Sequence, residues 1–133
     1  MKTQSKEARL DALVEKMHGL VNPKNKAKPR FAELVQRRSI KYAIDVMRAF
    51  RRRTGVVPMD ISPTYRGGVQ LDYPMEQLRP GIECYKQLGL EIEILGNRTV
   101  SLCLPDWTEH DGIKMPDFLK NMRQYIGKYG QRR

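Results

Sequence analysis

Cysteine is scarce in this chain, and the two that occur, Cys84 and Cys103, lack the CxxC spacing of a zinc site. Two isolated thiols make no disulfide framework, so both read as reduced, partly buried side chains. Long apolar runs are missing too: the longest is a few residues, where a membrane-spanning helix needs about 20. The opening MKTQSKEARL has no apolar stretch of the kind a secretory signal carries. The expectation is a soluble, intracellular protein (cytoplasmic, or nucleoid or nuclear).

Signatures of catalysis are equally thin. No glycine-rich phosphate loop or dinucleotide fingerprint occurs. His18 and His110 lack a Cys or Asp at nucleophile or zinc spacing. Asp106, Glu109, His110, Asp111 and Lys114 form the densest polar cluster, and carboxylates beside a lysine are what a divalent-ion nuclease uses. Their spacing fits no strict motif, and the cluster reads as a solvated acidic loop. The expectation is a protein that is not an enzyme, with no metal and no cofactor.

Negative charge is nearly absent from residues 22–53. Eleven cations, Lys24, Lys26, Lys28, Arg30, Arg37, Arg38, Lys41, Arg48, Arg51, Arg52 and Arg53, face only Glu33 and Asp45, so this stretch carries +9 of a net +10. Residues 54–114 carry −4 and residues 115–133 carry +4, which makes the excess local. A fold does not require such a concentration, whereas a polyanionic partner explains it.

The remaining composition is globular. Forty per cent apolar residues in a chain of 133 suffice for one core, and no repeat or low-complexity tract interrupts it. Residues 5–21 read as an amphipathic helix with Leu10, Leu13, Val14, Met17, Leu20 and Val21 on one side. Residues 22–29 form a basic linker. The domain layout expected is an N-terminal helix at 1–21, this linker, and a single α+β domain over 30–133.

Over residues 30–53 one helix is predicted. Phe31, Val35, Tyr42, Ala43, Val46, Met47 and Phe50 fall on one side, with Arg30, Arg37, Lys41, Arg48 and Arg52 opposite. Such a rod displays its cations over about 33 Å, on the order of one turn of duplex DNA. Gly55 stops it, and Arg51, Arg52 and Arg53 sit where the helix dipole favours cations.

Residues 56–68, broken by Pro58, Pro63 and Gly67-Gly68, read as an extended loop with room for a short edge strand. Residues 69–73 alternate like a strand, a helical turn fits 75–78, and Pro80 opens a short helix that Gly89 closes. Residues 90–104 form a hairpin around Gly96-Asn97, in the register that pairs Ile94 with Val100, Ile92 with Leu102 and Leu90 with Leu104. Residues 106–114 are a loop in which Trp107 caps the core, and Pro116 begins a last helix.

The fold expected is α+β: a small three-stranded sheet that includes this hairpin, flanked by amphipathic helices. A short helix running into a hairpin also resembles the order in which a winged-helix fold sets its recognition helix and wing. For function, the basic segment predicts phosphate binding to DNA or RNA, with Lys120, Arg123, Lys128, Arg132 and Arg133 as a secondary basic patch. Tyr65 and Arg66 are a lesser candidate for stacking on an unpaired base. The alternative partner is an acidic protein surface docked on the same helix, a contact that seven Met and six Tyr would suit.

Overall fold

The computed structural model describes residues 5–21, 30–74, 89–105 and 107–126. The turn expected at 75–78, the short helix expected to follow Pro80, and the linker at 22–29 lie outside the described residues.

Ser5 starts helix α1 (Lys6–Leu20): its side-chain oxygen accepts the Ala8 N–H at 3.1 Å. Leu10, Met17 and Leu20 are buried, and Leu13, Val14 and Val21 pack beside them, as the spacing requires. Helix α2 (Arg37–Thr54) ends where Gly55 adopts φ 76° and returns its N–H to the Arg51 carbonyl at 2.8 Å.

The sheet has five strands, not the three expected. Strands β1 (Asp60–Pro63), β2 (Val69–Pro74), β3 (Gly89–Ile94), β4 (Thr99–Cys103) and β5 (Glu109–Lys114) lie side by side in chain order, every neighbouring pair antiparallel. Four α-helices accompany them among the described residues. The winged-helix arrangement falls with the three-stranded sheet, because the hairpin that would be the wing supplies the inner strands β3 and β4. Its register is as expected where the ladder runs, with Ile94 opposite Val100 and Ile92 opposite Leu102.

Strand β5 was hidden by a bulge. Val100 faces Ile113 and Leu102 faces His110, so β5 spends one residue more than β4 over the same span. Gly112, at φ 66°, absorbs the extra residue. The inward positions are therefore separated by an odd step, which erases the alternation by which a strand is read. Strand β1 is the edge strand that residues 56–68 had room for, short and closed by Pro63.

Val69, Ile94, Val100 and Ile113 form one buried row across the sheet, with Ile61, Leu71, Ile92 and Leu102 in the next. Helix α2 packs on β2 and β3 with Ala43, Val46, Met47 and Phe50 buried beneath it, while α1 lies on β1 and α2. Truncating a ring such as Phe50 would cost about 3–5 kcal/mol. The Phe50 ring meets Tyr73 at a centroid distance of 4.1 Å, and the Tyr73 hydroxyl is buried with no hydrogen-bond partner among the described residues.

The C-terminal helix is broken. Helix α3 (Met115–Lys120) and helix α4 (Met122–Ile126) are separated by Asn121, whose backbone leaves helical geometry at φ −117° and ψ 35°. Phe118, Met122 and Ile126 still reach the core. Trp107 does not cap that core: it is 69% exposed, with φ 70°, in the β4–β5 connection.

Candidate nucleic-acid interface

Helix α2 is shorter than its periodicity suggests. Phe31 takes a left-handed backbone, φ 70° and ψ 1°, a single 3-10 turn follows at Ala32–Leu34, and Val35 and Gln36 are extended. Tertiary bonds override the local preference here. The Gln36 N–H donates to the Gly67 carbonyl at 3.1 Å, and the buried Ser39 hydroxyl donates to the same carbonyl at 3.0 Å. Arg30 therefore leaves the rod, and the cationic row shortens from about 33 Å to about 22 Å between Arg37 and Arg52.

What remains is well defined. Arg37, Lys41, Arg48 and Arg52 lie within about 60° of one another around the helix axis, with Arg38 beside them. All five are exposed, as is Arg53 at the helix end. Among the described residues none of these six cations has an ion-pair partner. Asp45 is exposed on the same side and pairs with none of them.

Arg51 behaves differently. It is half-buried and meets Glu7 of α1 at 2.6 Å, so its charge is answered within the fold. Arg30 is exposed and sits over the Phe31 ring at 4.8 Å. Lys24, Lys26, Lys28, Lys128, Arg132 and Arg133 lie outside the described residues. Lys120 and Arg123 are exposed, and the fold brings them to Arg53: the three line one cavity of about 500 Å³, with Asn121 and Gln124. The two basic regions of the sequence thus meet at the end of α2.

A groove of about 430 Å³ runs beside α2, lined by Val14, Val21, Ile40 and Ile44 together with Arg37, Lys41, Asp45 and Arg48. At the other end of the helix, exposed apolar groups gather. Phe31 meets Tyr65 edge-on at 6.4 Å, Tyr65 is 71% exposed and Leu34 is 46% exposed. The backbone of Phe31 is in the region that a bulky residue avoids.

The opposite sheet surface has the opposite sign. Asp60, Asp72 and Glu91 stand directly across from one another on β1, β2 and β3, on the side away from the buried rows. Burial pushes the Asp72 carboxyl above its ordinary value, against the amide of Gln70, and the charge of Asp60 adds to the rise. Glu91 is raised by burial and then by Asp72. Burial also acts on Asp60, but Lys16 at 2.5 Å and the Ile61 backbone outweigh it and hold its carboxyl below the usual range. Further along, Arg66 reaches over the sheet to Glu93 at 3.7 Å and Asp111 at 3.6 Å. Ser101 donates to Asp111, which lowers that carboxyl. Among the described residues no group of three His, Cys, Asp or Glu side chains is placed to hold a metal ion. No described helix is long and apolar enough to cross a membrane.

The acidic row and the Phe31–Tyr65 contact both escaped sequence reasoning. The row depends on strand register, and Asp60 and Glu91 are far apart in the chain. For the aromatic contact the Gly67-Gly68 pair was a usable signal, since a Cβ on Gly67 would lie 2.8 Å from the Leu34 carbonyl oxygen.

No protein-family model matches the chain, and neither does any curated protein or solved structure.

Proposed function

We propose that this chain is a non-enzymatic nucleic-acid-binding protein that grips the phosphate backbone through the exposed side of α2. Lys24, Lys26, Lys28 and Arg30 extend the grip before the helix, and Lys120 and Arg123 extend it past Arg53. The observation that carries the reading is the set of six exposed α2 cations with no ion-pair partner among the described residues. Cations spaced along a rigid helix repel one another, and a line of phosphates relieves that repulsion while releasing counterions. About 22 Å of helix lies alongside roughly six phosphates at about 3.4 Å per strand residue. The acidic sheet surface repels the same polymer and so favours one orientation. A protein of this kind acts by occupancy, as a regulator, a packaging factor or a ribonucleoprotein component.

The test is a fluorescence titration against duplex DNA, single-stranded DNA and RNA over a range of salt. Arg37→Gln, Lys41→Gln and Arg48→Gln combined should leave the fold intact. The slope of log K against log salt should flatten by about 2 to 3, at about 0.7 to 0.9 per lost phosphate contact. A folded triple variant with the parent slope places the contact elsewhere. The second reading, an acidic protein segment on α2, draws on the groove in which Val14, Val21, Ile40 and Ile44 adjoin Arg37, Lys41 and Arg48, three cations against the single carboxylate of Asp45. Saturable binding of an acidic polypeptide, with no binding of any nucleic acid, decides for it.

A further inference from the structure

The end of the molecule at the start of α2 gathers three chain segments that are distant in sequence. The Phe31 turn, the β1–β2 hairpin and the β3–β4 hairpin meet there. Gly67 and Gly96 permit the approach: a Cβ on Gly96 would overlap the Gln36 side-chain oxygen, and one on Gly67 would press on the Leu34 carbonyl. The hydrogen bonds from Gln36 and Ser39 to the Gly67 carbonyl fix the β1–β2 hairpin to the helix. A rigid tip results, rather than three independent loops.

Its surface is aromatic and cationic. Tyr65 stands exposed on Phe31, Arg30 covers part of the other ring, and Leu34 lies exposed in the turn after Phe31. Beside them runs a groove of about 480 Å³ lined by Gln36, Arg38, Arg66, Leu95, Gly96 and Asn97. Arg66 is partly engaged by Glu93 and Asp111, whereas Arg38 has no ion-pair partner among the described residues. Arg38 also belongs to the exposed side of α2, so the groove opens onto the cationic row.

From this juxtaposition we infer that the tip holds an unpaired base of a single-stranded nucleic acid. The base stacks on Tyr65, supported from behind by Phe31, and its phosphates run from Arg38 onto Arg37 and Lys41. The chemistry is that of an aromatic platform beside a line of cations, which accepts any base because every base offers a flat face. In a duplex the bases face one another in the stack and cannot reach an exposed ring. The amides of Gln36 and Asn97 lie within the groove and offer donors and acceptors to a base edge. The inference rests on the phosphate-binding reading above and adds the class of strand.

The experiment compares three probes on the full chain: a single-stranded oligothymidylate, an abasic strand with the same number of phosphates, and a duplex of the same length. Oligothymidylate should bind about 5- to 150-fold more tightly than the abasic strand, the contribution of one stacked base. Tyr65→Ala should abolish that difference while leaving abasic-strand binding unchanged, and Tyr65→Phe should retain it. Tyr65 is mostly exposed, so circular dichroism should show the alanine variant folded. Equal affinity for the base-bearing and abasic strands, or a folded Tyr65→Ala variant that keeps the preference, overturns the stacking site. In that case phosphate binding through α2 stands, provided the Arg37, Lys41 and Arg48 variant still weakens every probe. Failure of all three probes, with binding of polyglutamate instead, overturns both.

Discussion

Replacing Tyr73 with phenylalanine should make the protein more stable. The ring is 1% exposed and packs on Phe50, yet its hydroxyl has no partner among the described residues. A hydroxyl taken from water without a replacement bond costs about 1–3 kcal/mol. Tyr73→Phe removes that cost and keeps the ring contact. With an unfolding entropy near 2.1 cal/mol/K per residue, a chain of this length gains about 4 to 11 °C in its thermal midpoint.

A pH measurement separates this cause from general repacking. Burial raises the Tyr73 hydroxyl well above its ordinary value near 10. The folded state thus keeps a proton that the unfolded state releases. Its contribution to stability is therefore fully present below about pH 10 and falls as pH rises towards the folded value, by about 1.4 kcal/mol per pH unit. Urea unfolding at pH 8 and above pH 10 should show this extra alkaline loss in the parent and not in Tyr73→Phe. Tyr73→Leu should be less stable than either, because the contact with Phe50 goes. A destabilised Tyr73→Phe variant, or one with the parent's alkaline slope, would refute the reasoning.

Asp72→Asn should raise the midpoint at pH 7 and not at pH 3, because a carboxyl held above its usual value destabilises the fold only once pH climbs through that value; an equal gain at both pH values would show that charge is not the cause. Gly68→Ala should destabilise by about 1–3 kcal/mol or more in urea unfolding, since the new Cβ would lie 2.4 Å from the Ile94 carbonyl oxygen on β3. Gly112→Ala meets no atom within 4 Å but must adopt φ 66°, so calorimetry should find a smaller loss, near 1 kcal/mol. Arg37→Gln, Lys41→Gln and Arg48→Gln should each change stability by no more than about 0.5 kcal/mol, as expected of exposed side chains away from the core.

The parts legible in the sequence were those where one periodicity runs unbroken. The buried side of α2 from Ala43 to Phe50, its stop at Gly55, and the pairing of Ile92 with Leu102 each follow from a repeat of 3.6 or 2 and a turn residue. Errors fell where tertiary contacts override a local pattern. Phe31 and Val35 sit at helical spacing from Ala43, but Gly67 takes the Gln36 N–H and turns that stretch into a 3-10 turn. His110 and Ile113 face inward across a bulge, an odd step that imitates a loop. Of the candidate interface, the cations on α2 were visible in the sequence, as was their excess over Glu33 and Asp45. The pairing of Arg51 with Glu7 was not, since it depends on how α1 crosses α2.

If α2 grips a polyanion as proposed, the cross-strand row of Asp60, Asp72 and Glu91 decides what a bound copy shows on its far side. Such a copy would turn a carboxylate-bearing back towards the solvent. The face left outermost would then offer a second strand carboxylates rather than a row of cations.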